Sequence, residues 1–413
     1  MAAGAQVKDI GLALSPVSYF AQFELDVPSV AMVTASHNDN GWTGVKMDAN
    51  RPMTFGPDEM SRLKEIVLNG NWKPQSGGSY SFIDRFAERY IADLTNRPKF
   101  KRKIKAVVAC GNGTAGAFAP RILEGLGIDV VPMDTELDHN FPNYNPDPEN
   151  IEMLRAMAER VRETGADIAL GFDGDGDRCG VVDNEGAAIF ADKVGVLLAR
   201  DISSKHENSQ FVVDMKSTGL FLTDPVLQKL GANTDYFKSG HSYIKQRIAD
   251  LGAIAGFEKS GHMFFNSPIG RGYDDGIVAA IAVCDMLDRN QDMTMADLRR
   301  SLPVTYDAPP YAFYCSDEMK YNVEKKIVSD LQFMRKKGES FAGQKMRDLV
   351  TLNGARITGE DGTWGLIRAS SNEPKLVVVV ESPVSEVRRN EMLSSIEDLL
   401  QRYRDIGPRK SSH

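Results

Sequence analysis

The chain has 413 residues with 49 basic and 57 acidic side chains, a formal net charge of −8. At roughly 100–200 residues per domain that length predicts two to four domains, and 42% hydrophobic with 26% charged residues excludes global disorder. The acidic balance leaves no overall attraction to nucleic acid or an anionic membrane, and the apolar run at 276–287 is shorter than the about 20 residues that span a bilayer.

Apolar β-rich runs alternate with segments of helical period, the pattern of α/β domains. Residues 30–34 are predicted as a strand and 58–68 as a helix. Another helix is predicted to begin near Phe82, because Ile83, Phe86, Tyr90 and Ile91 recur at helical spacing. A strand at 104–109 runs through a glycine-rich turn at 111–116 into a helix at 117–126. Strand 129–133, helix 149–164 and strand 168–172 follow. Helices are expected at 192–200, 220–230, 241–251 and 276–287, with a strand at 211–215. Beyond Pro309 and Pro310 the pattern changes to a helix at 321–333, short strands around 349–358 and 364–368, a strand at 375–381 and a helix at 386–404. Boundaries near 76, 187 and 303 give four segments: 1–76, 77–187, 188–303 and 304–413. The first ten residues carry no signal or transit pattern. Cys110, Cys179, Cys284 and Cys315 lie far apart without a C-x-x-C pair, which predicts reduced thiols in a cytoplasmic protein.

Four short stretches carry chemistry. In Thr34-Ala-Ser-His-Asn-Asp-Asn-Gly, a strand ends in small polar residues that can present Ser36 to a pocket, with His37 and Lys46 supplying charge or protons. In Gly171-Phe-Asp-Gly-Asp-Gly-Asp-Arg178, the carboxylates of Asp173, Asp175 and Asp177 recur every second residue and can point the same way. Three oxygen donors with an open side suit Mg²⁺ shared with a phosphate. An EF-hand fails, because Arg178 stands where its sixth-position glycine belongs and Asn184 where its bidentate glutamate belongs.

The third stretch comprises Lys238-Ser-Gly240-His241 and Gly256-Phe-Glu-Lys-Ser-Gly-His262. Glu258 and Ser260 have the spacing to read adjacent sugar hydroxyls, and His241 and His262 can donate hydrogen bonds or move protons. The fourth is Arg368-Ala-Ser370-Ser371-Asn372, a candidate phosphate cradle of guanidinium, hydroxyls, amide and backbone N–H groups. One site falls in each of the four segments, which predicts a central cleft fed by a loop from every domain.

Taken together and in this order, the motifs resemble those of the α-D-phosphohexomutase superfamily, most closely its bacterial phosphomannomutase/phosphoglucomutase branch. The resemblance covers almost the whole chain. It implies three topologically similar α/β domains and a smaller C-terminal α+β domain around a central cleft. It further implies a Ser36 phosphorylated at rest, Mg²⁺ held by Asp173, Asp175, Asp177 and that phosphoserine, and Arg178 beside the metal. Lys216 would be a further active-site lysine, and Gly240 and His241 part of the sugar-reading loop. Arg368, Ser370, Ser371 and Asn372 would hold the non-reacting phosphate. The implied partner is a phosphosugar, with hexose 1,6-bisphosphate as activator and intermediate, and the enzyme a monomer or dimer.

Two departures stand out. Asp39 occupies a position where the family usually has proline. Only 35 residues precede Ser36, so the resemblance predicts that domain 1 lacks its opening strand, first helix and an active-site arginine. A truncated paralogue that binds phosphosugar with weak or no turnover is the alternative. A Mg²⁺ phosphatase is a poorer match, since the chain's Asp triplet lacks the Asp-x-Asp-x-Thr pattern of haloacid-dehalogenase nucleophiles. Phosphoglucosamine mutase, the nearest sister activity, usually has glutamine where Lys259 stands.

Overall fold

A computed structural model of the protein describes residues 1–38, 40–370 and 373–410. The chain divides into two compact units. One comprises Met1–Val212, Lys229–Asp235 and Gly240–Ser301; the other Val213–Gln228, Tyr236–Ser239 and Leu302–His413.

In the first unit, a parallel pair joins Gln6–Asp9 to Ser79–Phe82, and an antiparallel meander joins Ser29–Val33, Val45–Ala49 and Met53–Thr54. Between them in sequence lies the helix Ser15–Glu24, with Ser15 through Gln22 buried. A strand and a helix therefore stand ahead of Ser36. The helix predicted from Phe82 starts at Phe86 instead. Ser79–Phe82 is a strand, exposed along its length, whose partner Gln6–Asp9 is distant in sequence.

The next sheet has the order Ala188–Ile189, Cys179–Asp183, Ile168–Phe172, Lys105–Ala109 and Asp129–Met133. Its central strand Ile168–Phe172 is buried at every residue, as expected of a strand covered on both faces. The helix Ile151–Thr164 covers one side with Met153, Met157 and Val161. The glycine-rich turn enters a short 3₁₀ segment, Thr114–Ala117, before the helix Ala119–Gly125. A four-stranded sheet follows in the order Asn233–Phe237, Gln210–Asp214, Ala255–Phe257, Met263–Phe265, and the division between units falls within its first two strands. The predicted helix at 220–230 is two short pieces, Leu220–Thr223 and Pro225–Lys229, because Pro225 cannot continue the hydrogen-bond ladder. Asp275 accepts from the N–H groups of Ile277 and Val278 and so caps the helix Gly276–Arg289.

In the second unit, the main sheet runs Ser340–Phe341, Gln344–Val350, Ala355–Gly359, Trp364–Ala369, Lys375–Ser382, Tyr311–Tyr314, Arg409–Lys410. The single stretch predicted around 349–358 is a hairpin of two strands. Ile367, Ala369, Leu376, Val378 and Val380 pack on one face with the helices Lys320–Lys337 and Glu386–Leu400. Trp364, Leu366 and Val379 face the other side, where Met215 and Tyr236 cover them. The period of two thus buries both faces of the sheet. No helix among the described residues is long and apolar enough to cross a membrane.

Candidate active site

The strand Ser29–Val33 delivers the serine loop. Thr34 Oγ1 accepts the Ser36 N–H at 2.8 Å and donates to Asp175 Oδ2 at 3.1 Å. Ser36 sits at φ 55°, the left-handed region that costs an L-residue roughly 1–2 kcal/mol. Its Oγ donates to Asp175 Oδ1 at 3.2 Å and lies 3.1 Å from His37 Nδ1. Lys46 arrives on the antiparallel neighbour, opposite Met32, and its Nζ reaches Asp175 Oδ2 at 2.7 Å and Asp177 Oδ2 at 2.6 Å. Asp39 lies outside the described residues.

The acidic loop leaves the buried strand Ile168–Phe172 and returns as Cys179–Asp183. Asp173, Asp175 and Asp177 are all buried, with one carboxylate oxygen of each within 4.8 Å of the others. Arg178 binds Asp173 through Nε at 2.8 Å and Asp147 through Nη1 at 2.9 Å. Its Nη2 donates to His37 Nδ1 at 2.6 Å, which leaves the proton of a neutral His37 on Nε2. Burial, then the Arg178 charge, holds His37 below its ordinary range.

Three carboxylates crowded without solvent cannot all ionise easily. Burial, then the charge of Asp177, pushes Asp173 up to about 8 against the pull of Arg178. Burial also opposes ionisation of Asp177, but Lys46 and His262 prevail and lower it. Lys46 is likewise penalised by burial, and Asp177 and Asp175 raise it regardless. Asp177 Oδ1 is buried with no hydrogen-bond partner among the described residues, and His262 Nδ1 stands 3.6 Å from it. A hard divalent cation fits this donor set, because it would satisfy that oxygen and relieve the carboxylate repulsion.

The sugar-loop candidates join this cluster. Glu258 Oε1 accepts the Gly240 N–H at 2.6 Å, and the carbonyl of Ser260 is 3.5 Å from Arg178 Nη1. Gly240 adopts φ 127° at the start of the helix His241–Leu251, a conformation natural to glycine. The His241 and His262 rings stack with centroids 6.0 Å apart. Their charge states diverge. Burial drives His241 down to about 3. Burial also opposes charge on His262, but Asp177 and Asp274 outweigh it and lift the imidazole to about 9.

In the second unit, Lys216 follows the strand Gln210–Asp214, with Nζ 3.7 Å from Asp214 Oδ2. Arg368 lies on the strand Trp364–Ala369 and is buried. The Ser370 N–H donates to the Lys375 carbonyl at 2.9 Å, and its Oγ accepts from the Glu373 N–H at 3.2 Å. Ser371 and Asn372 lie outside the described residues. Lys259, in the first unit, is buried with Nζ 3.1 Å from Asp192 Oδ2.

Family profiles described as phosphoglucomutase/phosphomannomutase match across the chain. Those for alpha/beta/alpha domains I, II and III match residues 1–73, 84–186 and 190–306, and that for the C-terminal domain matches 318–399. A phosphomannomutase/phosphoglucomutase of Pseudomonas putida is 33% identical over 381 residues, 92% of this chain and 78% of that protein. The chain belongs to the phosphoglucomutase/phosphomannomutase family. A phosphoglucomutase of Neisseria gonorrhoeae is 30% identical over 380 residues, 92% of this chain and 79% of that protein. The crystal structure of a phosphoglucomutase/phosphomannomutase family protein from Burkholderia thailandensis superposes with a TM-score of 0.85 at 30% identity, covering 97% of this chain and 84% of that one. The fold is accordingly that of three α/β domains and a C-terminal fourth.

Within this family fold, sequence reasoning missed three residues that shape the cluster. Lys245 is fully buried, 2.8 Å from Asp274 Oδ1 and 3.9 Å from Asp48 Oδ2, with Nζ 3.7 Å above the Tyr19 ring. Asp274 in turn binds His262 Nδ1 at 2.9 Å. Asp147 anchors Arg178. One signal was available: Lys245 stands four residues after His241, on the same helical face.

Proposed function

We propose that this chain is an isomerase that moves a phosphoryl group reversibly between O1 and O6 of a mannose or glucose phosphate, with phosphorylated Ser36 as carrier. The observation that carries this conclusion is the Ser36 hydroxyl hydrogen-bonded to Asp175, inside the buried triplet that suits Mg²⁺. Phosphoryl transfer proceeds through a loose transition state, so placement and charge compensation dominate. Asp173, Asp175 and Asp177 would hold Mg²⁺, which supplies positive charge to the transferring group.

The remaining roles belong to the chain's own side chains. The Ser36 Oγ–P bond breaks as a sugar oxygen takes the phosphoryl group, and the proton of that hydroxyl passes to a base. The resulting hexose 1,6-bisphosphate turns end for end and returns its other phosphoryl group to Ser36. Lys46, held by Asp175 and Asp177, and His241, stacked on His262, are the candidates to move that proton. Arg178 and His37 would orient the transferring phosphate. Gly240, Glu258, Ser260 and His262 would read the sugar. Lys216, Arg368, Ser370, Ser371 and Asn372 would hold the other phosphate in either orientation.

Domain boundaries near 76, 187 and 303 belong to the same proposal. So does a cytoplasmic setting, which is favoured because Cys110, Cys179, Cys284 and Cys315 are all buried and free. Intact mass after incubation with glucose 1,6-bisphosphate and Mg²⁺ tests the phosphoserine. One added phosphate should map to Ser36, and Ser36→Ala should lose turnover. Phosphate elsewhere, with Ser36→Ala active, would refute the assignment.

A second possibility, phosphosugar binding without turnover, is favoured by one observation. Among the described residues Gln6–Asp9 pairs only with Ser79–Phe82, and Ser29–Val33 only with Val45–Ala49. Both open edges line a cavity of about 840 Å³ that also reaches Ser36 and Asp175. Many turnovers of glucose 1-phosphate with a trace of the bisphosphate would exclude it.

A further inference from the structure

We propose that Arg356 and Glu381 are positioning residues that fix Lys216 for substrate binding; the inference rests on the reading that Lys216 contacts the phosphosugar. Arg356 lies on the strand Ala355–Gly359 and is buried, its guanidinium 3.7 Å from the centroid of the Trp364 ring and 4.5 Å from that of Tyr236. Its Nη1 donates to the carbonyl of Met215 at 2.7 Å and to that of Ser217 at 3.0 Å. One nitrogen therefore grips the backbone on both sides of Lys216.

Glu381, on the strand Lys375–Ser382, secures the next residues. Its Oε1 accepts from Thr218 Oγ1 at 3.0 Å, from the Gly219 N–H at 2.9 Å and from Trp364 Nε1 at 3.0 Å. The Tyr236 hydroxyl donates to the Thr218 carbonyl. Asp214, 3.7 Å from Lys216 Nζ, accepts from the hydroxyls of Ser217 and Ser239. The whole stretch 214–219 is thus fastened around a single lysine whose head group faces the Asp214 carboxylate at long range.

Taking a guanidinium out of water is costly unless its hydrogen bonds are recovered. Here the recovered bonds of Nη1 both go to carbonyls flanking Lys216, so the buried arginine restrains that backbone directly. A lysine side chain gives up rotamer freedom when it grips a ligand, and a fixed backbone reduces what remains to be ordered on binding. Arg356 pairs with Leu366 and Glu381 with Trp364 in the sheet that also bears Arg368. Lys216 and Arg368 therefore belong to one compact unit and keep a fixed spacing, as two grips on one phosphosugar require.

The test is a double-mutant cycle on the full chain, read as kcat and KM for glucose 1-phosphate with Mg²⁺ and glucose 1,6-bisphosphate. Arg356→Lys keeps charge and stem but loses the fork, and should lower kcat/KM about tenfold, mostly through KM. Lys216→Ala should lower it on the order of a hundredfold. The double variant should be no worse than Lys216→Ala alone. Losses that multiply overturn the positioning role while leaving Lys216 in the site. An unchanged Lys216→Ala would instead remove Lys216 from substrate contact, and the positioning role with it. If Arg356→Lys fails to fold by thermal unfolding, Tyr236→Phe, which deletes only the hydroxyl bond to Thr218, takes its place in the cycle. A loss masked by Lys216→Ala then supports the positioning role, and a loss that multiplies overturns it.

Discussion

Gly174 passes so close to Ser36 that a Cβ placed on it would stand 2.2 Å from the Ser36 carbonyl oxygen. That atom is backbone, so a collision cannot be relieved by rotating a side chain. The acidic loop and the serine loop therefore meet in a contact that only glycine permits. Gly174→Ala is expected to push Ser36 away from Asp175 and cost on the order of a hundredfold in kcat, the scale of an ångström-sized misplacement of reacting groups. Steady-state turnover checks the loss, and slower phosphorylation of the variant's Ser36 by the bisphosphate locates it. Parental kcat in Gly174→Ala would show that the contact does not set the geometry.

Asp175 accepts from Ser15 Oγ at 2.7 Å, Thr34 Oγ1 at 3.1 Å and Lys46 Nζ at 2.7 Å, besides Ser36. It is both a candidate metal ligand and the point where the serine loop is moored. Asp175→Asn keeps the size and one acceptor oxygen but removes a charge, so Mg²⁺ affinity should fall at least about tenfold. Calorimetric titration with Mg²⁺ alone measures this without reference to turnover. Unaltered affinity would assign Asp175 to mooring only.

The elements most legible in the sequence are those whose periodicity and punctuation agree. The strand Ile168–Phe172 reads directly from its apolar run, and the helix His241–Leu251 from the glycines on either side. The helix Ser15–Glu24 was not legible, because Ser15, Ser18 and Gln22 interrupt its apolar stripe yet are buried. Ser15 Oγ finds its partner, Asp175, only in the fold, whereas Ser18 Oγ bonds back to the Ser15 carbonyl within the helix. The strand Val45–Ala49 alternates apolar and polar residues over only five positions, and its sense is inverted: Asp48 is buried and Lys46 serves the site while Val45 is exposed. The motifs singled out Ser36, the Asp triplet and Glu258. Of the residues that hold them, Asp274 and Asp147 carry no local signal because their partners lie elsewhere in the chain, and Lys245 carries only its place one helical turn after His241.

Asp275 gives a pH-dependent stability with a definite sign. Burial, against the hydrogen bonds from Val278, Tyr90 and Ile277, pushes its carboxyl up to about 6 from the ordinary 3.8. The folded chain thus holds this proton more tightly than the unfolded chain. Its contribution is fully present below pH 3.8 and is lost as pH rises towards about 6. The loss amounts to roughly 3 kcal/mol at most. Asn at this position can still accept from the Ile277 and Val278 N–H groups and does not titrate. The unfolding free energy of Asp275→Asn relative to the parent should therefore increase between about pH 4 and pH 7. Denaturant titrations giving a flat difference would show that Asp275 ionises normally.

The helix Pro57–Leu68 should be the least protected helix of the first unit. It buries no residue, and Val67 and Leu68 are 64% and 71% exposed. The helix Ser15–Glu24, by contrast, has eight consecutive buried residues, Ser15 through Gln22. Each buried aliphatic or aromatic side chain is worth about 1.5–3 kcal/mol, so opening Ser15–Glu24 costs far more than opening Pro57–Leu68. Hydrogen exchange should be at least about a hundredfold faster in Pro57–Leu68 than in Ser15–Glu24 and Ile168–Phe172. The serine loop should follow the slow class, because the Thr34 and Ser36 side chains hold to Asp175 on the buried acidic loop. Equal protection of Pro57–Leu68 and Ile168–Phe172 would mean that something covers the exposed helix in solution, and a concentration-dependent exchange rate would identify it as a second copy of the chain.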